Sequence, residues 1–147
     1  MKEIITKYFS DPPSEENYVS KNEFYPPANP DKISSVENSF GMEFPQDFKD
    51  FLILTNGFDG MLGQSYARFN KVDEIEEYTK AYCEEFFPWL IHIGSNGGDE
   101  MFVLDKRESI IKYGIMPYIG DDEDFIPLGS TFEEFVGHIY NNDFWER

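Results

Sequence analysis

A chain of 147 residues with 29 Asp and Glu against 12 Lys and Arg has a formal net charge of -17, which excludes partners that are bound by neutralising phosphates: nucleic acid and anionic membrane surfaces. The charge favours a basic protein partner, whose approach a complementary field accelerates. The lone Cys83 forms no disulfide within the chain, no stretch approaches the ~20 apolar residues of a membrane span, and the first residues lack the apolar run of a signal peptide, so the expected location is the cytoplasm.

Met1 to Tyr8 set out a short amphipathic helix. Residues 11 to 31 hold five of the nine prolines without an apolar period and read as an irregular arm. Asn29-Pro30 then supplies an N-cap and a first-turn proline, Ile33, Val36 and Phe40 fall at i, i+3 and i+7, and Gly41 supplies the stop of a helix. Pro45 opens a second helix, with Phe48, Phe51, Leu52 and Thr55 on one face and Asn56-Gly57 at its end. Beyond Gly57 the period drops to two, and Ser65 to Asn70 alternate as a strand behind a glycine-rich turn. Asp73 is the expected cap of a helix whose Ile75, Tyr78, Tyr82 and Phe86 share the buried face, with Glu76, Glu77, Glu84 and Glu85 in water and Pro88 as terminator.

Trp89 to Gly94 and Met101 to Asp105 read as a hairpin across Ser95-Asn-Gly-Gly-Asp-Glu100. Further strands are expected at 110–113, 115–119 and 124–128. The closing helix follows a capping box, Ser130-Thr-Phe-Glu133, with Phe132, Phe135, Val136, Ile139 and Tyr140 as its apolar stripe. With 15 Phe and 9 Tyr, the core should be rich in aromatic rings. Helices first, then strands with one helix inserted, then a closing helix predict a single α+β domain over 1–147, an antiparallel-rich sheet with packed helices.

Catalytic patterns are missing. No G-x-S-x-G pentapeptide occurs, and Gly94-Ser-Asn-Gly-Gly98 has neither that register nor the spacing of a dinucleotide or P-loop fingerprint; it reads as a turn entering a strand. His92, in an apolar strand, and His138 make no zinc-binding pair, and the acidic run Asp121-Asp-Glu-Asp124 departs from a calcium loop because Phe125 occupies the third ligand position. No metal or cofactor is therefore expected. That run reads as a solvated turn or as a protein-facing patch. Trp89 reads as a packing residue at the start of a strand, and Trp145 as docked on the sheet or touching a partner. A hydrolase is the remaining catalytic reading, and it needs carboxylates such as Asp99 and Asp105 in one place.

Three blocks together resemble the SUKH superfamily, also called the Smi/Knr cell-wall-assembly-regulator family. Ile33-x-x-Val-Glu-x-x-Phe-Gly41-x-x-Phe-Pro45-x-Asp-Phe-Lys-x-Phe-Leu-x-x-x-Asn-Gly57 is similar to its amino-terminal signature. Ile93-Gly-x-Asn-Gly-Gly-Asp99 with Asp105 resembles its central Gly-Asp motif, and Pro127 with Ser130-x-x-Glu-Glu-Phe135 its closing strand and helix. The blocks span roughly residues 30 to 141. The resemblance implies an α+β fold without known catalytic residues, in which Gly57, Gly94, Gly97, Gly98, Asp105 and Pro127 are architectural. It also implies that function lies in variable surface. Bacterial members are largely immunity proteins of polymorphic or contact-dependent toxin systems, and fungal members regulate cell-wall synthesis.

Charge and resemblance lead to a non-enzymatic immunity protein that binds a cognate toxin domain, a basic nuclease being the kind the charge suits. Asp99, Glu100, Asp121, Asp122, Glu123 and Asp124 are the expected contact residues. The alternative is a regulatory scaffold that binds other proteins or a small ligand.

Overall fold

The strands lie side by side in the order in which the chain makes them, and every pairing is antiparallel. The computed structural model describes residues 1–9 and 22–144. Among these, the helices are α1 (Lys2–Tyr8), α2 (Pro30–Phe40), α3 (Gln46–Leu54), α4 (Val72–Tyr82) and α5 (Phe132–Asn141). The strands are β1 (Glu23–Phe24), β2 (Phe58–Leu62), β3 (Ser65–Phe69), β4 (Leu90–Ser95), β5 (Glu100–Asp105), β6 (Lys112–Pro117) and β7 (Ile126–Pro127), forming one sheet in the order β1 to β7. The expected α+β architecture is present.

Local signals set several of these boundaries. The Asn29 side chain accepts the Asp31 N–H at 2.8 Å, Pro30 opens α2, and Gly41 at φ +67 closes it. The box at the start of α5 sits one residue later than expected. Thr131 Oγ1 accepts the Glu134 N–H at 3.1 Å, and the Glu134 carboxylate accepts the Ser130 N–H at 3.3 Å.

Several expectations need correction. Lys71, not Asp73, is the N-cap of α4; Asn56 Oδ1 accepts the Val72 N–H at 2.8 Å, and Asp73 pairs in solvent with Lys32 at 3.2 Å. The helix ends at Tyr82, before Pro88, so extrapolating its period further misplaces the aromatics: Phe86 is 71% exposed and Phe87 is buried. The supposed glycine-rich turn contains β2, whose Phe58, Gly60 and Leu62 face inward. The two strands expected at 110–113 and 115–119 are one, β6, running through Gly114, where a Cβ would lie 2.5 Å from the Ile126 carbonyl oxygen. Ile110 and Ile119 lie beyond its ends in solvent. The strand expected at 124–128 shrinks to two residues behind a 3-10 turn, Asp122–Asp124.

Part of the proline-rich arm belongs to the fold. Phe24 pairs with Phe58, the Ala28 N–H reaches Leu52 O at 2.9 Å, and the Asn56 N–H reaches Pro26 O at 3.1 Å. Residues 11–21 of that arm, like Trp145, lie outside the described residues.

Strands β4 to β6 are dry on both sides, so they read as continuous apolar runs rather than alternating ones. On the first face Ile91, Ile93, Phe102, Leu104, Tyr113 and Ile115 meet α3 and α5. Phe132 sits at the centre, with ring centroids 4.7 Å from Phe51 and 5.7 Å from Phe69. One carboxylate ties three elements together there: Asp47 of α3 accepts the Tyr113 hydroxyl of β6 at 2.6 Å and the Phe132 N–H of α5 at 2.7 Å. Replacing Asp47 by Ala strands a buried hydroxyl and a helix N–H. The expected cost is about 1–3 kcal/mol in urea unfolding, with Tyr113→Phe costing about 1 kcal/mol.

Candidate partner-binding surface

The second face of the sheet is covered more thinly. β3 pairs with β4 only through Arg68–Ser95 and Phe69–Gly94, and there a Cβ on Gly94 would collide with the Arg68 carbonyl. Beyond that point α4 takes the place of β3 along the edge of β4, and Thr79 Oγ1 accepts the His92 N–H at 2.9 Å. The turn after α4 then crosses the second face and buries Cys83 and Phe87 against Leu90, Met101, Val103 and Met116. Burial pushes the Cys83 thiol up to about 12, so it stays protonated and inert.

His92 anchors this face. The Asn70 amide nitrogen donates to the His92 carbonyl at 3.1 Å and lies 2.8 Å from Nδ1. An amide nitrogen is only a donor, so Nδ1 accepts and Nε2 carries the proton, which it donates to the Tyr118 hydroxyl at 2.9 Å. Tyr78 and Tyr82 close around the ring at centroid distances of 5.5 and 5.7 Å. Burial drives the imidazole pKa down to about 4, leaving it neutral. The histidine is structural and its polar atoms are satisfied.

Over this small core, the 83–87 turn and the loop after β6 leave a groove of about 650 Å³ between Phe86, Phe87, Tyr118, Ile119 and the residues Gly120 to Glu123. Its lining includes apolar side chains left in water, with Ile119 95% exposed and Phe86 71% exposed. At the far end of the loop, Trp89 packs edge-on against Phe125 and donates its indole N–H to Asp122 at 3.3 Å. The Arg107 guanidinium lies 3.7 Å over the Trp89 ring. Trp89 is thus half-buried packing, as its position at a strand start suggested.

The six acidic residues singled out in the sequence come together along one margin of the second face. Asp99 sits in the β4–β5 turn and its carbonyl accepts the Tyr118 N–H at 2.9 Å, so that turn adjoins the start of the acidic loop. Glu100 opens β5, where burial foremost, and Asp99 and Asp124 in addition, raise its carboxyl above the usual range. Asp121 to Asp124 are exposed in the loop and its 3-10 turn. Among the described residues, none of the six makes a salt bridge.

Asp105 sits apart from Asp99 and Glu100, on the Arg107 side where Asp122 bonds Trp89. It stands at the opposite end of β5 from Asp99, about 20 Å away at ~3.3 Å per residue, and is held by the Arg107 guanidinium at 2.9 Å and the Arg107 N–H at 3.0 Å. Asp99 and Asp105, the carboxylates named for a hydrolase, are not brought together. Among the described residues, no three His, Cys, Asp or Glu side chains group as metal ligands.

The remaining motif positions shape backbone. Gly57, three residues past the end of α3, takes φ +96 where a Cβ would meet Phe69 O at 2.8 Å; it turns the chain into β2 instead of ending the helix. Gly97 takes φ +80 in the β4–β5 turn, the neighbouring Gly98 N–H is held by Asn96 Oδ1 at 2.9 Å, and Pro127 pairs with Gly114 in β7. Sequence reasoning missed Phe86, Ile119 and Arg107 as surface features. The Phe86-Phe87 doublet beside Pro88 held the signal, since two adjacent rings cannot both face one core.

An antiparallel meander flanked by helices places the protein among α+β domains. Residues 27–138 match the SMI1 / KNR4 family (SUKH-1), and the chain belongs to that family. A relative in Bacillus subtilis (strain 168), the uncharacterized protein YnaB, is 32% identical over 132 residues, covering 84% of this chain and 85% of YnaB. Among the described residues no helix is long and apolar enough to cross a membrane.

His92 makes stability depend on pH. In the unfolded chain its pKa is about 6.5, so the depressed folded value means that unfolding takes up a proton between pH 6.5 and 4. The contribution is complete above 6.5 and is lost as pH falls. Urea titrations at pH 7 and pH 5 should show a loss of about 2 kcal/mol from this group in the wild type, absent from the His92→Gln variant.

Proposed function

We propose that the protein is a cytoplasmic, non-catalytic immunity protein that binds and occludes a basic toxin domain. The convergence of Asp99, Glu100 and Asp121 to Asp124 on one margin, without salt-bridge partners among the described residues, is the observation that carries this reading. Repulsion among these carboxylates opposes folding; Asp99 and Asp124 add to burial, the larger cause, in raising the Glu100 carboxyl. A basic partner relieves that repulsion on binding. Membership of a family in which resemblance points to toxin neutralisation supplies the biological purpose, and a net charge of -17 supplies the attraction.

The test is co-expression with the toxin domain encoded beside this gene. Cells should survive, the two proteins should co-purify, and their association rate should fall by roughly 10-fold or more between low and high salt. Undiminished killing with no isolable complex would overturn the assignment for that pair.

A further inference from the structure

The groove on the second face combines two features: apolar side chains left in water and carboxylates that make no salt bridge among the described residues. Phe86 is 71% and Ile119 95% exposed, and Tyr118, Asp121, Asp122 and Glu123 line the same groove. Exposed aromatics attract cations through their ring faces, and carboxylates pair with the planar guanidinium in fixed geometry. The chain itself makes this contact beside the groove. Arg107 lies 3.7 Å over Trp89 and 5.9 Å from Phe125 while donating to Asp105 at 2.9 Å, and Asp122 bonds the same indole.

We propose that the groove between the 83–87 turn and the 118–123 loop receives an arginine side chain of a basic protein partner. The guanidinium lies against Phe86 and Tyr118, the acidic wall takes its charge, and Ile119 meets an apolar neighbour of that arginine. A second copy of the chain is the wrong occupant, because it brings another -17 to a surface that is already acidic. This proposal rests on the immunity reading for its partner, but the groove chemistry is testable without it.

Two experiments separate them. In the first, ethylguanidinium chloride is titrated into the full chain and followed by amide NMR, with ethylammonium chloride as comparison. Shifts should concentrate at Phe86, Tyr118 and Gly120 to Glu123 and be larger for guanidinium. Equal shifts spread over all acidic surface would overturn the groove assignment. In the second, binding to the neighbouring-gene toxin domain is measured for Phe86→Ser, Ile119→Ser and Glu123→Lys, with Glu43→Lys and Glu133→Lys as charge-matched controls elsewhere. All five positions are exposed, and melting curves confirm folding. The apolar variants should lose about 10-fold in affinity or more, Glu123→Lys should slow association several-fold, and the controls should stay within about 2-fold. If wild type binds and every groove variant binds as well, the groove proposal fails and the immunity reading stands. If wild type does not bind that toxin, the immunity reading fails for the pair and the guanidinium titration alone decides the groove.

Discussion

Strands β4 to β6 must be kept dry on both faces, and the chain supplies full helical cover for only one. The middle of β4, β5 and β6 is buried on both sides, and end positions such as Glu100 and Lys112 are partly exposed. On the first face, α3 and α5 bring Phe48, Phe51, Phe132 and Phe135, and the aromatic cluster closes over the sheet. On the second, one end of α4, an irregular turn and a long loop do the covering. The groove is what this cover leaves open.

That asymmetry also explains where the polar groups are spent. His92 faces the thin side, and its neutrality follows from burial together with bonds to Asn70 and Tyr118 that exhaust both ring nitrogens. The imidazole therefore holds Tyr118, at the start of the acidic loop, to β4. Arg107 works similarly from the other end, clamped between Asp105 and the ring of Trp89. Between these fixed points the loop carries its carboxylates outward.

Much of the framework was legible because its signals are local. Asn29-Pro30 with Gly41, the stripe of α5 and the hairpin of β4 and β5 each depend on a few adjacent residues obeying one period or one cap geometry. Legibility failed where a tertiary contact outweighed the local pattern. Asn56 reaches across 16 residues to cap Val72, which displaces Asp73 from that role. Gly114 accepts the close approach of Ile126, which joins two apparent strands into one.

Composition by itself determined the sign and strength of the field around the molecule and the aromatic character of its core, since both are sums over residues that folding leaves unchanged. Residue order determined the helices, most strands and the family. Only the tertiary structure decided that Asp99, Glu100 and the run from Asp121 to Asp124 share one margin, and that Phe86 and Ile119 stand in water beside it. The reason is geometric: antiparallel pairing of β5 and β6 brings the β4–β5 turn beside the start of the acidic loop, and which of two adjacent phenylalanines turns outward is settled only by the face it packs against.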